Sequence, residues 1–129
     1  MPHDLKDTGK LHDMIAYAQE AIDLLGARSV HQMVEDRRTF LAVSRCVEII
    51  GEAGWSLSDA VKRAHTRIPW PLIAGMRHRL VHDYGRVDAE IIHAVITEHL
   101  PPLIVALREM LNDNLPSAPG TSPLGQPEA

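Results

Sequence analysis

The chain has 129 residues, 45% hydrophobic and 23% charged, with a formal net charge of −4. Those values fit one globular domain that buries a core without structural metals or cross-links. Aromatics are only 4% and the single cysteine is Cys46. An intrachain disulfide is therefore excluded, and the core must rest on Leu, Ile, Val, Ala and Met, a mixture that suits helix packed on helix.

Residues 1–10 are polar and lack the apolar stretch of a signal peptide. No uninterrupted apolar run approaches the ~20 residues of a membrane span. The expectation is a cytoplasmic protein without membrane contact. Charge is spread unevenly. Residues 1–61 carry six Lys/Arg against ten Asp/Glu, residues 62–86 six against Asp83 alone, and residues 87–129 Arg108 against six. A basic island (Lys62, Arg63, Arg67, Arg77, Arg79, Arg86) thus sits on an acidic body, suited either to guiding a phosphate or to pairing with its acidic surroundings.

The first helix is expected from Asp7 or Thr8 to Leu25. Leu11, Met14, Ile15, Ala18, Ile22 and Leu25 recur at steps of three and four, Asp7 or Thr8 suits the cap, and Gly26 suits the end. A second helix is expected from Val30 to Ala53, with Phe40, Val43, Val47, Ile50 and Gly54 on one stripe. Cys46, Ile49 and Ala53 widen that stripe, and Gly51 and Gly54 would allow close helix approach. Cys46 sits among apolar residues, as a packing rather than a reactive thiol does.

Ser56 to Pro69 reads as a short helical turn and a loop. Pro71 suits the first turn of a third, short helix from Pro71 to Val81. Asp88 would cap a fourth helix with Ile91, Ile92, Val95, Ile96, Leu100, Leu103, Leu107 and Met110 on its apolar side. Pro101 and Pro102 should kink it or divide it into two collinear pieces. Residues 1–115 form the expected domain. Residues 116–129, with four of the nine prolines, read as a disordered tail. No period-2 strand pattern occurs, so the fold class is all-α.

The chemically distinctive stretch is Gly75-Met76-Arg77-His78-Arg79-Leu80-Val81-His82-Asp83-Tyr84. A histidine titrates near neutral pH and can take a proton from a hydroxyl. An arginine offers a fork of donors matched to phosphate and its developing charge. Together they suffice for RNA cleavage by the adjacent 2′-OH, which needs no metal because the nucleophile is already attached beside the phosphorus. On a regular helix Arg77 and Tyr84 share one line and His78 and His82 another, with Arg77 and His82 about 140° apart. One phosphate could be reached if the helix ends near His82, if long side chains bend round, or if a second subunit completes the pocket. Two other readings stand beside this one. His78 and His82 have the spacing of one edge of a metal site, without an obvious third ligand. In purely structural roles, Arg77 pairs with an acid, His82 caps a helix end and Tyr84 packs.

Glu48-Ile49-Ile50-Gly51-Glu52-Ala53, Ile68-Pro69-Trp70, the stretch Gly75–Tyr84, Val87-Asp88 and Leu100-Pro101-Pro102-Leu103 occur in an order that resembles the HepT-like branch of the HEPN ribonuclease superfamily, over about Leu5 to Leu111. The resemblance implies an antiparallel bundle of four to five helices that forms a homodimer, the motif lining a cleft between subunits. It implies a metal-independent endoribonuclease with no cofactor, the toxin of a toxin–antitoxin pair. Arg77 and His82 match the family's catalytic pair. His78 occupies the polar position after the arginine and would support the site. Tyr84 matches the tyrosine that a nucleotidyltransferase antitoxin AMPylates in some members. Gly85 and Arg86 depart from the aromatic and glycine that commonly follow the tyrosine. A non-catalytic helical module binding RNA, a nucleotide or the nucleotidyltransferase is the alternative.

Overall fold

The computed structural model describes residues 5–82 and 89–113, with side chains within 6–76 and 89–112. Among these residues the regular structure is helical, with no strand. Helices α1 (Leu5–Leu25), α2 (Val30–Glu35), α3 (Arg37–Ser56), α4 (Asp59–Ala64) and α5 (Trp70–His82) are followed by a long helical path. That path comprises α6 (Ala89–Ala94), a π turn (Val95–His99) and α7 (Leu100–Asp113). Helix α3 is central: α1 and α5 pack along it, and α7 packs on α1. This is the expected all-α, HEPN-like bundle. The expected cap at Asp88 and the tail 116–129 lie outside the described residues.

Helix α1 starts at Leu5, one turn earlier than its sequence suggests, so Asp7 does not cap it. Its carboxylate turns inward instead, at 4% exposure. It accepts hydrogen bonds from the Ser58 amide at 3.0 Å and the Ser58 hydroxyl at 2.7 Å. That hydroxyl in turn accepts from the Val61 amide and caps α4. The carboxylate thus fixes the α3–α4 turn against the start of α1. Gly26 ends α1 as expected, with φ +57° and its amide donating to Ile22 O at 3.0 Å. Only glycine takes that left-handed backbone without strain.

The expected continuous helix from Val30 to Ala53 is instead two. Ser29 and Gln32 form a capping box at the start of α2. Asp36 then leaves helical geometry (φ −88°, ψ 89°) and its carboxylate accepts from the Thr39 amide at 3.2 Å, opening α3. Hydrogen bonds from Thr39, with lesser help from the Arg28 charge 3.5 Å away, hold this carboxyl below its ordinary pKa. Arg28 also donates to the carbonyls of Leu24 and Leu25, and His93 contacts Arg28 O at 2.8 Å. The break between α2 and α3 is thereby tied to the end of α1 and to α6.

Pro101 and Pro102 do not stop the last helix; its path is divided just before them, as expected. Lacking N–H groups, they cannot serve the carbonyls of Thr97 and Glu98, and their rings would crowd those oxygens in a regular helix. The preceding turn widens to π geometry, with the Leu100 amide donating to Val95 O, and the helical path continues. The helical path Ala89–Asn112 spans 24 residues and contains an 18-residue window of mean hydropathy 1.3, enough by length and composition to cross a bilayer, unlike the interrupted run its sequence suggests. Ile92, Val95, Ile96, Leu100, Leu103, Ile104, Leu107 and Met110 are nevertheless buried in the bundle. Ile91, expected among them, faces outward.

Candidate active site

The motif helix is anchored at its first turn. Trp70 is 6% exposed and its indole N–H donates to His65 O at 3.0 Å. The Ile73 amide bonds Pro69 O at 3.1 Å. Trp70, Ile73 and Met76 form the buried face. Ile73 meets α3 where that helix has no side chain: a Cβ on Gly54 would stand 2.8 Å from Ile73 Cγ2 and 3.5 Å from Met14 Cε. Gly54 is therefore a point of close approach between α3, α5 and α1, as its place in the apolar stripe suggests. Gly51 is also buried.

This contact joins the end of α3 to the start of α5, and the two helices pack along their lengths. They therefore run antiparallel. Carried on at ~1.5 Å per residue, the register sets position 77 about level with Ile50 and position 82 about level with Arg45. At that level Arg45 donates to Glu48 Oε1 at 2.8 Å, and this hydrogen bond and charge raise the guanidinium pKa. Neither residue was singled out from sequence as a site residue, because the level of α3 against α5 is set by packing.

Of the residues the sequence proposes, Arg77, His78 and His82 lie on the helical backbone of α5. Their side chains, and Tyr84 entirely, are outside the described residues. Helical backbone through His82 keeps positions 77 and 82 about 140° apart around the axis. Among the described residues no three His, Cys, Asp or Glu groups converge as metal ligands. Cys46 is buried, and desolvation, followed by the nearby Glu20 charge, raises its thiol pKa. It is the protonated packing residue its context suggests, not a nucleophile.

A groove of about 510 Å³ lies between the loop before α5 and α7, lined in part by His65, Arg67, Ile68, Pro102, Val105 and Met110. An exposed ion pair, Arg67 to Glu109 at 3.9 Å, crosses its rim. The groove borders the loop that leads into α5.

A family model described as "Ribonuclease HepT-like" matches residues 14–110, a span that includes all of α3 and α5. A "Probable ribonuclease HepT" from Thermococcus cleftensis is 41% identical over 68 residues, covering 53% of this chain and 62% of the relative. A protein named "Putative RNase" from Caldanaerobacter subterraneus subsp. tengcongensis is 33% identical over 101 residues, covering 78% and 90%. Another of that name from Methanocaldococcus jannaschii is 28% identical over 103 residues, covering 80% and 85%. No solved structure matches.

Proposed function

Because the chain belongs to the HepT-like ribonuclease family, we propose that it is a metal-independent endoribonuclease whose reacting groups are Arg77 and His82. The carrying observation is that both positions stand on one helix, α5, inside the span matched by the ribonuclease family. In this reading His82 removes the proton from a ribose 2′-OH. The 2′ oxygen attacks the adjacent phosphorus, the bond from phosphorus to the 5′ oxygen breaks, and that oxygen leaves with a proton. The products are a 2′,3′-cyclic phosphate and a free 5′-hydroxyl. Arg77 balances the charge on the pentacovalent phosphorus, and His78 supports the site.

The reading includes a homodimer whose second copy completes the cleft, one way for positions about 140° apart to serve one phosphate. Exposed Leu41 and Leu72 supply apolar surface compatible with such a homodimer, although exposed leucines are common on monomers too. The biological role that fits this reading is a cytoplasmic toxin of a toxin–antitoxin pair. A nucleotidyltransferase antitoxin would silence it by AMPylating Tyr84. The adduct places a phosphate and a nucleoside where RNA must sit, competing for Arg77 by charge and volume.

Incubation of AMP-free protein with RNA in excess EDTA tests the chemistry. Cyclic-phosphate ends that appear with the intact protein and vanish with His82→Ala are expected. No cleavage of a broad RNA panel would favour a non-catalytic binding module. Mass spectrometry after incubation with a cognate nucleotidyltransferase and ATP tests the regulation. AMP on another residue, with Tyr84 unmodified, would contradict it.

A further inference from the structure

We propose that the outer end of α3 is a docking site for single-stranded RNA, with Trp55 as a base-stacking platform and Lys10, Lys62 and Arg63 as phosphate contacts. The proposal rests on the ribonuclease reading and adds to it a substrate-holding surface outside the Arg77–Tyr84 stretch.

Trp55 is 58% exposed, whereas Trp70 is buried. Two ammonium groups from different helices converge on the backbone beside it. Lys10 of α1 donates to Ser56 O at 2.8 Å, and Lys62 of α4 donates to Trp55 O at 3.1 Å. Each ammonium has three donors, so donors remain for phosphate oxygens. Arg63 follows on α4, exposed and without an ion pair among the described residues. Lys6 is exposed one turn before Lys10. Among the described residues the nearby exposed acids are Asp13, Glu52 and Asp59, so four cations stand beside three anions. Asp7 adds nothing outward, because Ser58 holds its carboxylate inside.

Neutralising the negative end of α3 explains the placement of Lys10 and Lys62. It does not account for Arg63 beside them. Cations around an exposed aromatic ring are what sequence-tolerant recognition of single strands requires: phosphates are held by charge while a base stacks on the ring. The position also fits the proposed chemistry. From the Gly54–Ile73 contact, Ser56 lies about 3 Å one way along the axes and residue 77 about 6 Å the other. The axial separation is therefore about 9 Å. RNA held at Trp55 would present a phosphate at the level of Arg77.

The test is an anisotropy titration of the full chain with a short, labelled, fully 2′-O-methylated uridine oligomer, which cannot be cleaved by 2′-OH attack. Trp55→Ala is expected to weaken binding by roughly 5- to 150-fold, while Trp55→Phe retains most of it. The double variant Lys62→Ala/Arg63→Ala should reduce the slope of log affinity against log salt by about 1.4. RNA should quench tryptophan emission in the wild type and not in Trp55→Ala, where only buried Trp70 remains. Arg63→Glu alters an exposed side chain only, and should weaken binding without changing the melting curve. Unchanged affinity in both Trp55→Ala and Arg63→Glu would overturn the proposal. So would a change of oligomeric mass in Trp55→Ala at unchanged affinity, which would assign the face to a protein contact. Binding through Trp55 without cleavage of unmodified RNA would uphold this site and defeat the catalytic reading. Cleavage with Trp55-independent binding would do the reverse.

Discussion

Gly54 and Trp55 are adjacent in sequence and opposite in environment. Gly54 faces the α3–α5 seam, where a single added carbon would stand 2.8 Å from Ile73 Cγ2. Trp55, with the largest side chain of all, faces outward beside Lys62 and the end of α3. One helix turn therefore holds the motif helix in place on one side and presents a charged, aromatic surface on the other. The two tryptophans repeat the contrast, since Trp70 is buried on the seam and hydrogen-bonded. Scaffold and surface roles are thus separable by residue, and substitutions should divide accordingly.

The largest expected difference is between the tryptophans. Trp70→Ala empties a packed site and removes the indole donor from His65 O, and should cost about 3–5 kcal/mol in denaturant unfolding. Trp55→Ala should stay within about 0.5 kcal/mol of wild type. Equal losses at the two positions would erase the distinction between seam and surface.

A smaller effect is expected where α3 and α5 meet at Gly54. Gly54→Ala favours helix by up to about 1 kcal/mol but overpacks Ile73, a stiff β-branched neighbour, for a net loss of about 1–2 kcal/mol. Ile73→Ala removes the opposing methyl. The double variant should therefore be more stable than the sum of the single changes implies, a coupling measurable by a double-mutant cycle. Strict additivity would mean that the two residues do not meet.

The smallest effect belongs to Asp36. Its folded pKa is lowered, so its contribution is fully present above the ordinary carboxylate pKa near 3.8 and is lost as pH falls through the folded value. Thermal melts should show Asp36→Ala lowering the midpoint at pH 7, with the gap to wild type shrinking as pH drops below about 4. A gap independent of pH would show that the carboxylate charge plays no part.

Much of the fold was legible because helix packing writes itself into spacing. The stripe from Leu11 to Leu25, the turn at Gly26 and the close approach at Gly54 follow from local rules. Three features were not legible. Asp36 lies where helix-compatible residues continue on both sides, so periodicity hid the cap. The π turn is a backbone response to Pro101 and Pro102 that no apolar pattern records. Asp7 finds Ser58 across 51 positions, a purely tertiary contact. At the candidate site the helix that carries Arg77, His78 and His82 was readable from sequence. Their level against Arg45 and Glu48 was not, because it depends on how Ile73 seats on Gly54.

The central claim is that Arg77 and His82 drive cleavage by a neighbouring 2′-OH. It is tested most directly with a single preferred RNA, cut in EDTA by wild type and Arg77→Ala, alongside the same RNA carrying one 2′-deoxy residue at the cut position. The expected result is a fall of ~10²–10³-fold in rate for Arg77→Ala with an unchanged melting curve, and no cleavage at the deoxy position by either protein. Wild-type rates from Arg77→Ala, or cleavage that persists at the deoxy position, would contradict the account.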